Sequence, residues 1–457
     1  MIFRRFACET LAQNCYLVGH GDEAVIVDPR RDIDDVLAFV REQRLRVRLA
    51  VATHVHADFV AGLHEVAAAT GATVALGERF AGRFACRHLA AGEQLRVGDA
   101  RITVLATPGH TLDSITLHVC GADTGRLLTG DTLFVGDVGR PDLASGPGVT
   151  PRAMAELLFA SLQQFRSLPP DTEVWPAHGA GSACGSCIAS APSSTLAAEF
   201  TDNLALRETD LERFCQRLLA AHRAPPPHFA RLAGTNLAGP PLLATLTTPR
   251  LLTVDAVAKA LANGGQVLDV RTAAAFGRGH WPGSLNIGLD GGDFEPWAGA
   301  LLDPSRPLVL HADDEAQAQR AWRRLLRVGL DDLAGFSTAL PVPTERTQQI
   351  DAIDLFAPAG PPPFQVIDVR RPDEFAAGHL AGAVACELAV GMAATLPSGM
   401  RRDAPTAVVC DAGYRSSAAI ALLRAAGFTD LHNVRDGMRG WFLSHLPLQR
   451  TAPTATS

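Results

Sequence analysis

The feature that most constrains the fold is an internal repeat in the second half of the chain. The run Gln266–Arg271 recurs as Gln365–Arg370, 99 positions further on. The phenylalanine, histidine and glycine after each run keep the same spacing; they are Phe276, His280 and Gly283 in the first copy and Phe375, His379 and Gly382 in the second. A repeat of this length indicates a duplicated domain, because solenoid units repeat every ~20–50 residues. Each copy has a helical segment, a buried-type strand and then Asp-x-Arg, which predicts a parallel α/β sheet.

The repeat divides the chain into three predicted domains. This number agrees with the chain length, because a typical domain contains about 150 residues. Residues 1–245 alternate β-rich runs with helical patterns, which predicts an α/β domain that ends in a helical stretch over 194–223. The two copies occupy residues 246–340 and 350–457. A proline-rich segment within 341–363 is the predicted linker between them.

Composition excludes several classes of protein. With 47% hydrophobic and 19% charged residues, the chain is neither disordered nor fibrous. A formal net charge of -7 argues against nucleic acid or an anionic membrane as the main partner. No apolar run approaches the ~18 residues of a membrane span, and the N-terminus lacks signal-peptide features, so we expect a cytoplasmic protein. The nine cysteines are scattered, which argues against a disulfide framework. The sequence is compatible with either a monomer or a homo-oligomer.

The first half carries a set of potential metal ligands, each in a loop that follows a β-like run. The set is His54, His56, Asp58, His110, Asp131 and His178. Side chains at the carboxyl ends of strands face the cleft where ligands bind in α/β folds. The order H-x-H-x-D, then His, Asp and His, resembles that of the metallo-β-lactamase superfamily over residues 10–180. This resemblance implies an N-terminal αββα sandwich with a metal at one edge of the sheets, followed by the two tandem α/β domains of the repeat.

Phe59 departs from the H-x-H-x-D-H motif of binuclear members such as glyoxalase II. Phenylalanine offers no lone pair, so we expect one metal ion and not two. The sequence is then similar to the persulfide dioxygenase branch of the superfamily. That resemblance implies one Fe(II) per chain held by His54, His110 and Asp131, a 2-His-1-carboxylate set with open positions. The remaining His56, Asp58 and His178 would orient ligands and move protons, or would only hydrogen-bond within the scaffold.

Two further residues near this set have alternative interpretations. Arg140 matches an arginine that follows the aspartate ligand in persulfide dioxygenases, which implies that it binds the carboxylate of a thiol substrate. The alternative is a structural pair with Asp142. Cys184 lies in a Gly- and Ala-rich loop after His178, and it is a candidate sulfur relay near the iron. The alternative is a thiol that only packs.

The second chemical motif runs from Cys410 to Ser416, between a buried-type strand and a predicted helix. Amide groups at a helix N-terminus and the charge of Arg415 lower a thiol pKa, which favours the nucleophilic thiolate. Gly413 lets the backbone amides converge on sulfur. The pattern C-x-x-G-x-R-S resembles the rhodanese family, whose cysteine carries a persulfide. The implied site is Cys410 and Arg415 as catalytic residues and, around the substrate, Asp411, Gly413, Tyr414 and Ser416. A six-residue loop disfavours the related phosphatases, whose loop is one residue longer.

The first copy of the repeat lacks this motif. His311 occupies the position equivalent to Cys410, and the following residues are acidic, which would repel an anionic sulfur donor. We therefore predict a rhodanese-like domain without sulfurtransferase chemistry, which serves as a spacer or a docking element.

The three domains together resemble persulfide dioxygenase–rhodanese fusion proteins. The resemblance implies oxidation of a low-molecular-weight persulfide, such as glutathione or coenzyme A persulfide, by O2 to sulfite. Cys410 would then interconvert sulfite plus persulfide and thiosulfate, as part of sulfide detoxification. The alternative is a zinc thioester hydrolase of the glyoxalase II type fused to a sulfurtransferase. Phe59, which replaces the last histidine of the binuclear motif, argues against this alternative. A non-enzymatic sulfur carrier or sensor is disfavoured by two intact catalytic sets.

Overall fold

A computed structural model of the chain describes residues 1–120, 125–143, 149–220, 224–356 and 364–451. The chain packs as two compact units. The first contains residues 1–246 with 326–329, and the second contains 247–325 with 330–457. Apart from residues 246 and 326–329, the tandem rhodanese-like copies thus lie in one unit. The expected boundaries of the three domains stay predictions. The ends of the predicted helical stretch (221–223) and of the linker (357–363) lie outside the described residues.

The first unit is built on two six-stranded sheets. The first sheet has its strands in sequential order, namely β1 (Ile2–Cys8), β2 (Gln13–His20), β3 (Glu23–Val27), β4 (Arg46–Val51), β5 (Thr73–Gly77) and β6 (Arg87–Leu89). The second has the order β12-β11-β10-β9-β8-β7, with β7 (Gln94–Val97), β8 (Ala100–Ala106), β9 (Ile115–Cys120), β10 (Arg126–Gly130), β11 (Glu173–Pro176) and β12 (Ser194–Thr195). Parallel and antiparallel pairs occur in both sheets.

Seven helices occur among the described residues of this unit, and α1 to α6 pack on the outer faces of its sheets. They are α1 (Asp34–Glu42), α2 (Leu63–Thr70), α3 (Pro151–Gln164), α4 (Leu196–Asp202), α5 (Leu204–Arg207), α6 (Leu211–Ala220) and α7 (Phe229–Ala238). In α1 the buried Val36 and Val40 lie four residues apart on one face, with Asp34 and Asp35 at the N-terminus and Arg41 near the C-terminus. The Thr150 side chain caps α3, and Pro151 occupies its first turn.

In the described part of this unit, three of the apolar cores follow this layering. One lies between the first sheet and α1 and α2, one between the two sheets, and one between the second sheet and α3 to α6. Three cores between four layers confirm the predicted αββα sandwich. Its strands end in the loops that carry the potential metal ligands.

The second unit contains two parallel sheets, as the repeat predicts. The middle domain has β13 (Gln266–Asp269), β14 (Leu285–Asn286), β15 (Leu308–His311) and β16 (Leu333–Ser337) in the order β14-β13-β15-β16, with α8 (Val254–Ala262), α9 (Ala273–Arg278), α10 (Phe294–Leu301) and α11 (Glu315–Arg327). The C-terminal domain has β17 (Gln348–Ile350), β18 (Gln365–Asp368), β19 (Val384–Ala385), β20 (Thr406–Val409) and β21 (Leu431–Val434) in the order β17-β21-β20-β18-β19, with α12 (Pro372–Ala377), α13 (Tyr414–Ala425) and α14 (Gly437–Leu443).

The residues that repeat are structural. Arg271 pairs with Asp269 at 2.6 Å, and Arg370 pairs with Asp368 at 2.7 Å in the second copy. Each arginine also donates to the carbonyl that precedes the repeated histidine, at 2.8 Å in both copies. The histidines stack on the repeated phenylalanines, with ring centroids 3.7 and 3.8 Å apart. The repeated pattern therefore reflects the common fold of the two copies and not a common catalytic chemistry.

The helical segments predicted at the start of the two copies form different structures. The segment Thr253 to Ala262 forms α8 with Thr253 as its cap, whereas the segment from Asp351 to Phe356 forms only a 3₁₀ turn at Ala352–Leu355. In this single turn the Asp351 amide donates to the Asp354 carboxylate at 2.9 Å.

Side chains in the core between the two sheets should contribute strongly to the stability of the first unit. Leu117 on β9 is fully buried there, so Leu117→Ala should lower the free energy of unfolding by about 2–5 kcal/mol. Leu204→Ala is the matched control, because Leu204 is 50% exposed and should cost less than about 1 kcal/mol. Urea denaturation of the full chain measures both variants. Equal losses would contradict the layered core.

Candidate active sites

The first site lies where loops after three strands meet. His54 follows β4, His110 follows β8 and Asp131 follows β10. Asp131 Oδ2 lies 3.7 Å from His54 Nε2 and 3.5 Å from His110 Nε2, and all three side chains are buried. These distances suit three ligand atoms around one ion, since metal–ligand bonds are about 2 Å long. Asp131 Oδ2 has no hydrogen-bond partner among the described residues, although it is buried. Such an orphaned carboxylate oxygen fits a cation.

Hydrogen bonds orient both imidazoles for this role. The Thr53 hydroxyl donates to Asp28 Oδ2 at 2.9 Å, and it therefore accepts from His54 Nδ1 at 3.0 Å. His110 Nδ1 donates to the Arg140 carbonyl at 3.0 Å. With the proton on Nδ1, each Nε2 presents its lone pair to the metal position. Burial lowers the pKa of both His54 and His110, which favours the neutral imidazole that binds a metal.

His178 bridges two carboxylates beside these ligands. Its Nδ1 lies 2.7 Å from Asp131 Oδ1, and its Nε2 lies 2.8 Å from Asp58 Oδ2. Burial lowers the pKa of His178, but Asp131 and Asp58 outweigh burial and hold this pKa well above its usual value. Burial likewise raises the pKa of Asp131, but His178 and His54 reverse the effect and leave it lowered. The geometry brings His178 and Asp58 next to the ligand set, and their role as proton carriers stays a prediction.

Phe59 and His56 occupy the side of the site where a second metal would bind. The Phe59 ring is buried against His56, with centroids 4.3 Å apart. His56 Nε2 lies 3.0 Å from Asp28 Oδ1, so this carboxylate serves both His56 and Thr53. The potential ligand atoms of His56, Asp58 and His178 lie within 4.8 Å of one another. Geometry alone therefore permits a second ion, while Phe59 removes the ligand that binuclear hydrolases carry.

Cys184 is close to the first site. Its sulfur and the potential ligand atoms of Asp131 and His178 lie within 4.8 Å of one another, and the side chain is only 2% exposed. Burial, with Asp58 and Asp131, raises the pKa of this thiol. Cys187 is exposed by contrast. The position suits a sulfur relay, and the relay itself stays a prediction.

Arg140 contributes more through its backbone than the sequence indicates. Its guanidinium forms a two-pronged pair with Asp142, with Nε–Oδ1 at 3.1 Å and Nη2–Oδ2 at 2.6 Å. This is the structural pair that stood as the alternative, and binding of a substrate carboxylate stays a prediction. Its carbonyl orients His110, and its amide donates to the Cys184 carbonyl at 3.0 Å. Arg140 thus connects two site residues through its main chain.

Asp28 and Thr53 are site residues that the sequence analysis missed. Asp28 follows β3 directly, as the ligands follow their strands, and its φ of 52° is uncommon for a residue other than glycine. Together these two features are the signal that could have singled it out. Thr53 adjoins His54, but a threonine next to a ligand carries no signal of its own.

The second site surrounds Cys410 at the turn between β20 and α13. The thiol is buried, and the Ser416 hydroxyl donates to its sulfur at 3.4 Å. The first turn of α13 begins at Tyr414, so its free amides lie next to the cysteine loop. Gly413 has φ 78°, and a Cβ there would collide with the Arg435 carbonyl. Only glycine fits this position without moving the loop.

The charges around Cys410 are paired. Both terminal nitrogens of Arg415 lie 2.7 Å from the carboxylate oxygens of Glu374, and Arg439 lies 2.8 Å from Asp411. Burial lowers the pKa of Arg415, but Glu374 more than compensates, so Arg415 stays charged. Glu374 is a neighbour that the sequence analysis missed, although the repeat carries a signal. The equivalents of Glu374 and Arg415 in the middle copy are both alanine, at 275 and 316.

His311 stands at the Cys410 position of the middle copy, as predicted. It is buried at the end of β15, and burial together with Arg271 lowers its pKa to about 3. The loop of the middle copy thus has neither the thiol nor the arginine of the second copy, and its lack of sulfurtransferase chemistry stays a prediction.

Comparison with known proteins agrees with this architecture. Residues 9–178 match the model of the metallo-β-lactamase superfamily, and residues 253–338 and 354–444 match that of the rhodanese-like domain. A crystal structure of a metallo-β-lactamase from Staphylococcus aureus subsp. aureus COL is 31% identical, with a TM-score of 0.65. The similarity covers 74% of this chain and 98% of that one. The chain belongs to the metallo-β-lactamase superfamily. Two rhodanese-like domains follow its metallo-β-lactamase domain.

Other similar proteins cover smaller parts of the chain. A hydroxyacylglutathione hydrolase from Tolumonas auensis is 35% identical over 167 residues, 36% of this chain and 60% of that hydrolase. The crystal structure of ETHE1 from Myxococcus xanthus is 29% identical and covers 52% of this chain and 99% of that one, with a TM-score of 0.46. The chain spans only 58–61% of the length of the hydrolases that it matches. Among the described helices, none combines the length and apolar character that crossing a membrane requires.

The ligand geometry predicts which histidines of the metallo-β-lactamase domain bind metal. His110→Ala should lower the bound metal at least about tenfold, because it removes one of three ligands. His118→Ala is the control, since His118 lies on β9 outside the three ligand groups. Elemental analysis of both purified variants measures the metal per chain. Full metal content in the His110 variant would refute the assignment.

Proposed function

We propose that the metallo-β-lactamase domain is a non-haem Fe(II) persulfide dioxygenase and that the C-terminal domain is a sulfurtransferase coupled to it. The observation that carries the proposal is the burial of Phe59 against His56, where binuclear relatives need a ligand. It leaves His54, His110 and Asp131 as a 2-His-1-carboxylate set. When bound there, Fe(II) would supply a site for the persulfide sulfur and redox chemistry with O2.

The substrate class is a low-molecular-weight persulfide, with glutathione and coenzyme A persulfides as the candidates. The overall reaction joins R-S-SH, O2 and water and yields R-SH, sulfite and two protons. The sulfane sulfur is oxidised and O2 is reduced, so no further oxidant is required. We expect this chemistry in the reducing cytoplasm, where the Cys410 persulfide is not lost to disulfide formation.

The chain's own residues have separate tasks in this reaction. Thr53 and the Arg140 carbonyl keep His54 and His110 in the tautomer that binds metal. The His178 imidazole lies between Asp131 Oδ1 and Asp58 Oδ2, and this row of groups can carry protons released as sulfite forms. The Cys184 sulfur lies within 4.8 Å of potential ligand atoms of Asp131 and His178, and this position supports Cys184 as the candidate relay.

Sulfur transfer at Cys410 needs no metal. The Cys410 thiolate attacks the sulfane sulfur of a persulfide, and the S–S bond breaks as R-S⁻ leaves with the electron pair. Sulfite then attacks the outer sulfur of the Cys410 persulfide, which releases thiosulfate and restores the thiolate. Every step is reversible, so thiosulfate can also load the cysteine. Ser416 donates to the sulfur, and Arg415 provides a half-buried positive charge that Glu374 holds in place.

A second candidate function is a zinc thioester hydrolase of the glyoxalase II type, fused to the same sulfurtransferase. Two observations favour it. Hydroxyacylglutathione hydrolases are among the similar proteins, and His56, Asp58 and His178 could hold a second ion. This candidate retains the Cys410 chemistry and differs only in the metal and in the reaction of the first domain.

Metal content and oxygen uptake distinguish the two candidates. Protein purified without added metal should contain about one iron per chain, since one three-ligand set fits the ion. It should consume O2 when glutathione persulfide or coenzyme A persulfide is added, and the faster of the two identifies the thiol carrier. Zinc without oxygen uptake, together with hydrolysis of a glutathione thioester, would establish the hydrolase instead.

The two active sites should be separable by mutation. Cys410→Ser should lower thiosulfate formation on the order of 100-fold or more and leave oxygen consumption intact, because the nucleophile is lost and the ligand set is not. Cys386→Ser is the control, since Cys386 is another buried thiol of the same domain and lies near Met392 and Thr395. Oxygen-electrode and thiosulfate assays measure both reactions. Joint loss in the Cys410 variant would contradict independent sites.

A further inference from the structure

A side chain of the Cys-less middle domain holds the helix that follows Cys410. The Ser417 hydroxyl on α13 donates to Asn286 Oδ1 on β14 at 2.6 Å, and both side chains are almost fully buried. The Asn286 amide donates in turn to the carbonyls of Asp269 and Arg271, both at 3.0 Å. These two bonds set the orientation of the Asn286 amide, so its oxygen is directed at Ser417 before any substrate binds.

A second contact holds the first residue of the same helix. The Tyr414 ring packs on the backbone of the middle domain at Gly288 and Gly291, and a Cβ on Gly291 would collide with the ring. The Tyr414 hydroxyl is buried without a hydrogen-bond partner among the described residues. Burial, with a smaller contribution from Asp293, raises its pKa, so the phenol stays neutral. Tyr414 thus contributes a close-packed, uncharged contact.

The two residues of α13 that contact the middle domain lie on either side of the two residues that belong to the Cys410 site. Tyr414 and Ser417 are three residues apart and therefore share one face of α13. Arg415 and Ser416 lie between them, and the Ser416 hydroxyl donates to the Cys410 sulfur. A rotation or shift of this turn would move both the Ser416 hydroxyl and the free amides away from the sulfur. The contacts with the middle domain oppose such a movement from the opposite face of the helix.

The contact is one-sided, although the two domains are copies. The counterpart of Ser417 in the middle copy is Ala318, and the counterpart of Asn286 in the C-terminal copy is Ala385. The reciprocal hydrogen bond cannot form, because neither alanine has a polar side-chain atom. Only the copy with the cysteine is supported in this way, and only the copy without it provides the support.

We propose that the middle domain is the positioning half of the sulfurtransferase site, which it completes by holding the first turn of α13 through Asn286 and Gly291. The proposal rests on the sulfurtransferase function proposed for Cys410. It replaces the expected spacer role with a direct one. Asn286 and Gly291 are positioning residues, since they act through Ser417 and Tyr414 and do not reach the sulfur.

The test compares Asn286→Ala, Ser417→Ala and the double variant in the full chain, with thiosulfate as sulfur donor and cyanide as acceptor. Each single variant should lower kcat about tenfold with KM within about twofold, and the double variant should be no worse than either single one, since both remove one interaction. The pH midpoint of Cys410 alkylation, followed on the Cys410 peptide, should rise by about 0.5 units or more, because the thiolate loses oriented donors.

Matched controls separate positioning from folding. Asn263→Ala is an exposed asparagine of the middle domain, and it should leave kcat and the alkylation profile unchanged. Asn286→Ala also removes two hydrogen bonds inside its own domain, and it could therefore prevent folding. If the Asn286 variant does not fold, Ser417→Ala, which deletes a single hydroxyl, tests the positioning role. Unchanged kcat and alkylation in Ser417→Ala would overturn the positioning role. A wild-type chain that loads no sulfur onto Cys410 would contradict the proposed function itself, and this proposal with it.

Discussion

The interaction on which the metallo-β-lactamase domain depends is the division of Asp131 between two tasks. One oxygen is directed at the Nε2 atoms of His54 and His110, and the other accepts from His178. A buried carboxylate is costly unless cations or hydrogen bonds compensate its charge on both sides. A protonated His178 compensates one side, and a metal ion suits the other. The remaining polar groups of the site are arranged to maintain this division.

Compensation of charge also shapes the sulfurtransferase site. A nucleophilic thiolate needs donors and positive charge, yet an unpaired buried arginine would be costly. Glu374 pairs with Arg415 and holds its guanidinium in place, and the Ser416 hydroxyl adds an uncharged hydrogen-bond donor at the Cys410 sulfur. The middle copy has none of the cysteine, the arginine and the glutamate, but it has the Asp-x-Arg pair. The scaffold pair is therefore present in both copies, whereas the residues of the candidate thiol site occur in one copy.

Much of the architecture could be predicted from local patterns. The α/β layering, the parallel sheets of the repeat and the positions of His54, His110 and Asp131 after strands follow from periodicity and turn residues. The chemistry of each motif follows from residue type. The partners of those residues could not be predicted, because they are distant in sequence. Glu374 is 41 positions from Arg415, and Asn286 is 131 positions from Ser417.

The sequence by itself determined the family, the order of the candidate ligands and which copy of the repeat carries the motif cysteine, because these depend on residue identity and short spacing. Only the tertiary structure decided how the side chains are used. It assigned the Arg140 guanidinium to Asp142, directed Asp28 at Thr53 and His56, and set Asn286 against Ser417. The physical reason is that a buried polar atom takes the partner that packing brings within about 3 Å, and no local pattern specifies that partner.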